Sequence, residues 1–450
     1  MEGDSENMSV DNVLLLRVGI DSGTGNGHGP LFEDNSFEYI PIPEGPEGPS
    51  TTEERTYDEI AGRHGGSLAD YVPHLSNDIP HFDPEFETYT YGDPSPNKRS
   101  QLSRLSSDDL LIFYSSLSPQ DADIKPRLCA IGVFTVDATY DLEEMSPDER
   151  AKALDQVQNN AHAKRTGLTP DSPVRDNFPV IVKGRPEESE LFDVPRPLGN
   201  SDRSVLPWVA DIIGFSGDLT RAGVARVLDE SNAQEIKDWL QHGSDLLIRD
   251  DRALRSYVMT SDTGFAPNVT GGVCTLATCK PRVREHAQVG DWILGTPSRS
   301  AGEERLIHLS RVEETLSYDE YYRDERFQNK KPEHDPNGDN IYYLKDGVLT
   351  QDEGTNHHKS RTHRERDLKT DRVLISETFW YFGNSGVAVP GRLRHEVIHK
   401  YNQESRRLYS KSESTSLQDL VEWCSFRFDL GDHRTENTTL TDPSTSGSGC

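Results

Sequence analysis

Ser107-Asp108-Asp109-Leu110-Leu111-Ile112-Phe113-Tyr114 is followed by the apolar stretch Leu128-Cys129-Ala130-Ile131-Gly132-Val133-Phe134-Thr135-Val136. The same arrangement returns as Val289-Gly290-Asp291-Trp292-Ile293-Leu294-Gly295, followed by Arg305-Leu306-Ile307-His308-Leu309-Ser310-Arg311-Val312. In each copy a turn carrying an Asp leads into a short apolar strand, a loop follows, and a second apolar strand ends on Val. Short buried strands separated by turns build small β-barrels. Two copies predict two domains with barrel-type cores. Asp109 and Asp291 hold the same place in the two copies, and their expected role is to cap the turn before the strand.

The chain around these copies is 450 residues long, more than one ordinary core fills, so two or three domains are expected. Val13 to Asp21 reads as a buried strand, Phe178 to Gly184 as another, and Tyr89 to Asp93 as loop. Ser146-Pro147-Asp148-Glu149 opens a capped helix predicted to run to Arg165. Val224 to Leu240 reads as an amphipathic helix, and Pro332 to Asn340 as a polar linker. The fold class is α+β, with peripheral helices around the two barrel-type cores. Residues 1–12 form an acidic tail and 433–450 a Ser/Thr-rich tail, both expected to be disordered; the domains between them span 13–245 and 255–432.

The formal charge is −29, and Arg outnumbers Lys. Carboxylates spread along the whole chain fit a protein from a high-salt cytosol, where screening shortens to about 3 Å at molar salt and global charge says little about partners. The opening Met-Glu-Gly-Asp-Ser-Glu-Asn is acidic where a secretory leader is basic. No apolar run reaches the roughly 20 residues of a membrane helix. A cytoplasmic protein without membrane contact is expected. The five Cys are read as reduced thiols, since Cys274 and Cys279 lack both zinc-knuckle spacing and a second ligand pair. His357, His358 and His363 lack ligand-like neighbours in sequence. No metal is expected, and no cofactor is assigned.

Gly23-x-Gly25-x-Gly27-x-Gly29 after the first strand is neither GxGxxG nor a P-loop. It leaves Asp21 as a candidate acid/base in a binding loop. His81 to Asp93 packs one His, two Asp, two Glu and two Tyr into thirteen residues. Aromatics can stack on a base and carboxylates can accept from its amino groups, so Tyr89, Tyr91 and Asp93 are candidate pocket residues and Asp83 a second candidate acid/base. In the second domain, Lys280, Arg282 and Arg284 stand at what reads as a strand end and could hold phosphate. Tyr322 and Arg326, from the block Tyr321 to Phe327, join Lys280 and Arg282 as the predicted second pocket. From Asn356 to Lys411, twelve Lys or Arg face six Glu or Asp, a basic island suited to nucleic acid.

Two family resemblances rest on these residues. The order of turn, Gly-Asp, apolar strand, loop and Ile-Gly-x-x-x-Val resembles PUA-like barrels, EVE and ASCH domains included, which implies a grip on a flipped or modified base or an RNA segment. The N-terminal part resembles the nucleotide modification associated domain, type 3, through Leu16 to Gly23, Phe37 to Glu44, Asp83 to Phe86 with Tyr89 to Asp93, and Asp109 to Tyr114. The C-terminal part is similar to the type 2 domain, through Cys274 to Pro281, Gly290 to Ile293, Tyr321 to Phe327, and Leu374 to Phe382. This implies a place in a system that installs or processes modified bases in DNA, and carries over no catalytic residues. Recognition or processing of modified bases is the expected function, with nucleic acid or a modified nucleotide, and other proteins of such a system, as partners. A base-modifying enzyme using Asp21 or Asp83, or a structural subunit of a modification or restriction complex, are the alternatives.

Overall fold

The computed structural model describes residues 10, 12–45, 51–120, 124–166, 168–172, 178–219, 226–243, 254–260, 262–297, 305–393 and 411–434, and the chain divides between Gly243 and Ser244 into two units. The first carries strands β1 Val13–Arg17, β2 Gly29–Leu31, β3 Ile42–Pro43, β4 Pro80–His81, β5 Thr90–Asp93, β6 Leu110–Pro119, β7 Arg127–Asp141, β8 Val180–Gly184, β9 Glu190–Gly199 and β10 Arg226–Val227. Its helices are α1 Pro96–Leu102, α2 Pro147–Gln156, α3 Pro207–Ile213 and α4 Ala233–His242. One sheet runs β10-β1-β6-β7-β8-β5, with β2 beside β6 and β9 beside β7. β1 lies parallel to β6, and β6 antiparallel to β7. These central strands are covered on both faces, which is why they read as unbroken apolar runs and not as alternation. β7 pairs with β9 over Leu128 to Val133 and with β8 over Val136 to Asp141, with register shifts in both pairings. Such bulges bend a strand and let it serve two neighbours.

The second unit carries β11 Leu254–Met259, β12 Cys274–Leu276, β13 Trp292–Pro297, β14 Arg305–Leu306, β15 His308–Arg311, β16 Glu314–Leu316, β17 Tyr342–Lys345, β18 Val348–Gln351, β19 Val373–Ser376, β20 Phe379–Tyr381, β21 Val387–Ala388 and β22 Gly431–Asp432. Its helices are α5 Pro281–His286, α6 Tyr318–Arg323, α7 Arg361–Asp367, α8 Gly391–Leu393 and α9 Lys411–Arg427. A five-stranded sheet runs β11-β13-β15-β20-β22, and a three-stranded one β12-β19-β16.

The two Asp turns fold alike. The Val136 amide donates to Asp109 O (2.9 Å) and the Asp108 amide to Val136 O (2.9 Å); in the second unit Val312 donates to Asp291 O (2.8 Å) and Gly290 to Val312 O (2.7 Å). Each buried carboxylate closes its turn: Asp109 accepts the Ser106 and Asn12 amides (both 2.8 Å), and Asp291 accepts the Gln288 amide (3.0 Å) and Arg255 Nε (2.9 Å). In each unit the strand after the Asp has a parallel neighbour on one side and an antiparallel one on the other.

Other expectations change. The architecture is α+β as expected, and among the described residues no sheet is seen to close into the expected barrel. Tyr89 to Asp93 is loop only at Tyr89, because Thr90 to Asp93 pairs along β8. The capped helix from Ser146 ends at Gln156, and the amphipathic helix begins at Ala233. Lys280, Arg282 and Arg284 are not at a strand end: Pro281, at the first helical position, starts α5. Nor is Pro332 to Asn340 a linker, since Asp339 and Asn340 are buried, with Asp339 accepting from the Tyr321 hydroxyl (2.7 Å) and Thr275 Oγ1 (2.9 Å). Of the two tails, all but Val10, Asn12, His433 and Arg434 lies outside the described residues.

Glu313, between β15 and β16, accepts the Glu377 amide (2.8 Å) and is pushed up to about 7, chiefly by burial. The unfolded chain gives up this proton first, so its contribution is complete below about pH 4.5 and lost as pH rises through 7. Glu313→Gln is expected to stabilise the second unit by roughly 1–3 kcal/mol at pH 8 and to give no gain below about pH 4.5. Urea midpoints followed by tryptophan fluorescence at the two pH values check this; an equal gain at both would contradict it.

Candidate functional site

A cavity of about 430 Å³ opens in the first unit. The segment after β4 supplies Phe82, Phe86 and Tyr89 to its wall, and Tyr39 joins them. This segment is folded by Glu85, whose carboxylate accepts the Glu87 and Thr88 amides while its backbone exchanges hydrogen bonds with Thr90 (2.8 and 3.0 Å). Phe86 packs edge-on against Tyr39, Phe113 and Phe134, 5.5–5.8 Å between ring centroids. It lies against Gly132, where a Cβ would stand 2.8 Å from the ring and 2.6 Å from Glu190 O, so only glycine fits. Tyr89 has φ +59°, which breaks the alternation of the strand that follows and leaves its ring half-buried on the wall.

Charges of both signs line the cavity: Glu38, Glu85, Glu87 and Glu190 against Arg55, Arg63 and Lys164. Arg55 forks onto Glu53 (2.8 and 3.0 Å), and Lys164 reaches the same carboxylate (2.9 Å). The Arg55 hydrogen bonds, with Lys164, hold Glu53 down to about 2. Arg63 donates to Asp193 (2.7 Å) and Phe192 O (2.9 Å), so all three cations are already spoken for, and the wall carries more carboxylate than free positive charge. Glu38, buried, sits above the usual carboxylate range because desolvation outweighs the Arg63 amide it accepts (2.6 Å). The Tyr39 hydroxyl is buried and has no hydrogen-bond partner among the described residues.

The predicted first-pocket residues separate. Tyr89 lines the cavity. Tyr91 is core, its ring against Phe113 (5.4 Å) and its hydroxyl held by Lys98 (3.2 Å), with burial pushing the phenol well above its ordinary value. Asp93 pairs with Lys98 (3.0 Å) and caps the Ser95 amide (2.8 Å). Asp21 accepts the Gly23 and Thr24 amides (both 2.7 Å) and pairs with Arg17 (2.7 Å), which commits it to the glycine loop. Asp83 accepts the Gly92 amide (2.8 Å) and Asn160 Nδ2 (3.2 Å), and lies 3.3 Å from His162 Nε2. Phe82 and Phe86 fall inside the singled-out segment; Tyr39, Arg55 and His162 carry no signal of their own in the sequence.

The predicted second pocket is not assembled. Lys280 Nζ donates to Val258 O (3.0 Å) over the Tyr257 ring, and burial lowers its pKa. Arg282 is exposed on α5. Tyr322 stacks on Tyr343 (4.6 Å) and donates to Asp352 (3.1 Å), while Arg326 is held by Glu314 and Asp324 (2.9 and 2.7 Å). None of the four lines the unit's cleft of about 700 Å³, which instead takes Lys359, Arg361 and Arg364 from the basic island. Residues 394–410 of that island lie outside the described residues.

Beside α5 a buried line of contacts runs from Asp367 through His358 Nδ1 to His358 Nε2 and Cys279 Sγ (3.4 Å). Its order suits thiol activation. Cys279, however, is disulfide-bonded, unlike the free, buried Cys129, Cys274 and Cys424, so the line serves to join the α5 turn to α7.

These features define a two-domain α+β protein with a mixed aromatic and carboxylate cavity in its first domain. Residues 12–208 match the family model of nucleotide modification associated domain 3, and residues 252–439 that of nucleotide modification associated domain 2. The chain belongs to these families, a type 3 domain followed by a type 2 domain, and its role is associated with nucleotide modification. No curated protein and no solved structure matched it. No helix among the described residues is long and apolar enough to cross a membrane.

Proposed function

We propose that the chain recognises a modified nucleobase in DNA within a nucleic-acid modification system, the base sitting in the first-domain cavity. The observation that carries this reading is the cavity lining, which brings the aromatic rings of Tyr39, Phe82, Phe86 and Tyr89 together with the carboxylates of Glu38, Glu85, Glu87 and Glu190. Phe82 and Tyr89 offer half-buried faces for stacking. Glu38, on the same wall, can accept from the amino group of a base edge. The excess of wall carboxylate favours the base end of a nucleotide over its phosphate. In the second domain, the cleft sets Lys359, Arg361 and Arg364 against Asp352, Glu353 and Glu365, with Arg361 paired to Glu365 (2.7 Å); Lys359 and Arg364 would take the sugar–phosphate backbone, and its affinity should fall with salt. We read the charge of −29 as solubility in a salt-rich cytoplasm.

The test is mass spectrometry of nucleosides released from the protein purified from its host, followed by titration with the nucleoside found. Tyr89→Ala is expected to weaken that binding about 5- to 150-fold, the range for one lost stacking contact. A wild-type protein that retains and binds no nucleoside, modified or not, would sink the proposal.

A further inference from the structure

We propose that His81, Asp83 and His162 hold a divalent first-row transition metal ion. One ligand atom from each side chain lies within 4.8 Å of the other two. Bonds of about 2.1 Å place neighbouring ligand atoms about 3–3.5 Å apart and opposite ones about 4.2 Å, so the trio needs little adjustment to close on an ion. All three side chains are nearly buried, at 9%, 5% and 5% exposure.

The hydrogen bonds around the trio single out one donor on each of two residues. His81 Nδ1 lies 2.6 Å from Glu44 Oε1, which assigns the ring proton to Nδ1 and leaves the lone pair on Nε2. A carboxylate behind a histidine in this way is the usual support of a metal ligand. Asp83 Oδ1 is used by the Gly92 amide and Asn160 Nδ2 (2.8 and 3.2 Å), which leaves Oδ2 facing His162 Nε2 at 3.3 Å. At that distance the two groups can pair through a proton on His162, and a metal ion would take that proton's place. His162 Nδ1 is buried with no partner, so the ring is not pinned by a hydrogen bond on that side.

A nearly buried carboxylate facing two imidazoles is stabilised by a cation among them, a place that a metal ion or a protonated imidazole can take. Two nitrogens and one oxygen select Fe²⁺, Mn²⁺, Co²⁺ or Zn²⁺ over Mg²⁺ and Ca²⁺, and three protein ligands leave coordination positions open. Phe82 and Pro84 alternate with His81 and Asp83 along the chain, and Asn159 and Lys164 flank His162; all four line the cavity. None of the three ligands lines the cavity itself, so the ion would stand behind its wall. Sequence reading expects no metal here, because His162 lies 79 residues beyond Asp83 and only folding joins them. The inference does not depend on base recognition, and its test contains no nucleotide, so either can fail alone.

The full chain, stripped with chelator and dialysed metal-free, is titrated with Co²⁺ and followed by the visible absorption of protein-bound cobalt. One equivalent is expected. His162→Ala and Asp83→Asn should each weaken binding more than about 100-fold, and Glu44→Gln about 10- to 100-fold, by loss of the supporting carboxylate. Should His162→Ala or Asp83→Asn fail to fold by circular dichroism, Glu44→Gln carries the test. No uptake by the wild type at roughly 0.1 mM metal, or unchanged affinity in the variants that fold, would overturn the proposal.

Discussion

Arg284→Met is expected to destabilise the second domain by about 4 kcal/mol or more, enough to remove most of a typical domain's margin. Arg284 is fully buried, and its guanidinium donates to four backbone carbonyls: Nε to Cys279 (2.9 Å), Nη1 to Thr370 (3.3 Å) and Arg372 (2.7 Å), and Nη2 to Asp367 (2.8 Å). These acceptors come from the turn before α5 and from the chain between α7 and β19. One side chain therefore joins segments more than 80 residues apart. Met keeps the volume but leaves those carbonyls without their donor, and each buried orphan costs roughly 1–3 kcal/mol. Lysine should not rescue it, because a single ammonium cannot span positions that a planar fork reaches. Hydrogen exchange over peptides from β12 to β19 would report the loss of protection; protection within tenfold of wild type would contradict this account.

Arg284 also shows where sequence reading stops. Three cations in five residues, in a chain short of Lys, read as a phosphate grip. The helix that Pro281 starts divides them: Arg282 faces solvent, Lys280 caps the turn over Tyr257, and Arg284 turns inward with Val283 and Ala287. Composition reports that the charges are present and helical phase decides which of them meets water. What was legible depends on local chemistry. The Asp109 and Asp291 turns were visible as a repeat because each is made within one short segment, and the matching Val136 and Val312 hydrogen bonds follow from it. The Ser146 cap was legible for the same reason, and Glu149 completes its capping box.

The site is less local. Tyr89 and Tyr91 share a parity that would place both on one face of a strand. The left-handed backbone at Tyr89 cancels that, and β8 draws Tyr91 into the core. Thr90 to Asp93 looked like loop because Gly92 and Asp93 are turn formers; pairing with Val180 to Lys183 overrides that preference. Asp83 was singled out from the sequence, yet its neighbours His162 and Asn160 come from the turns after α2, at a distance along the chain that no spacing rule covers.

Acid should unfold the second domain through one residue more than any other. His308 on β15 is fully buried, with Tyr257 and Tyr381 at 5.5 and 6.5 Å between ring centroids. Its Nδ1 has no partner, and it occupies space that a side chain at residue 295 would need: a Cβ on Gly295 would fall 2.1 Å from Nδ1. Burial alone pushes the imidazole down to about 3. The unfolded chain takes up this proton near pH 6.5 and the folded one only near 3, so stability is complete above about 6.5 and is lost as pH falls between the two. At about 1.4 kcal/mol per pH unit the whole loss is on the order of 5 kcal/mol. Nearby, Asp262 and Arg434 meet Tyr381 from the other side, and titrating carboxylates elsewhere also act in this range, so the single group must be isolated by difference. His308→Leu removes the titration and keeps an apolar filler. The stability difference between wild type and His308→Leu should move by about 3 kcal/mol toward the variant between pH 7 and pH 4, read from urea midpoints at each pH. A difference that stays constant across that range would mean that the imidazole is reached by water or by a donor before the domain opens, and the buried strand β15 would then not be the element that acid attacks.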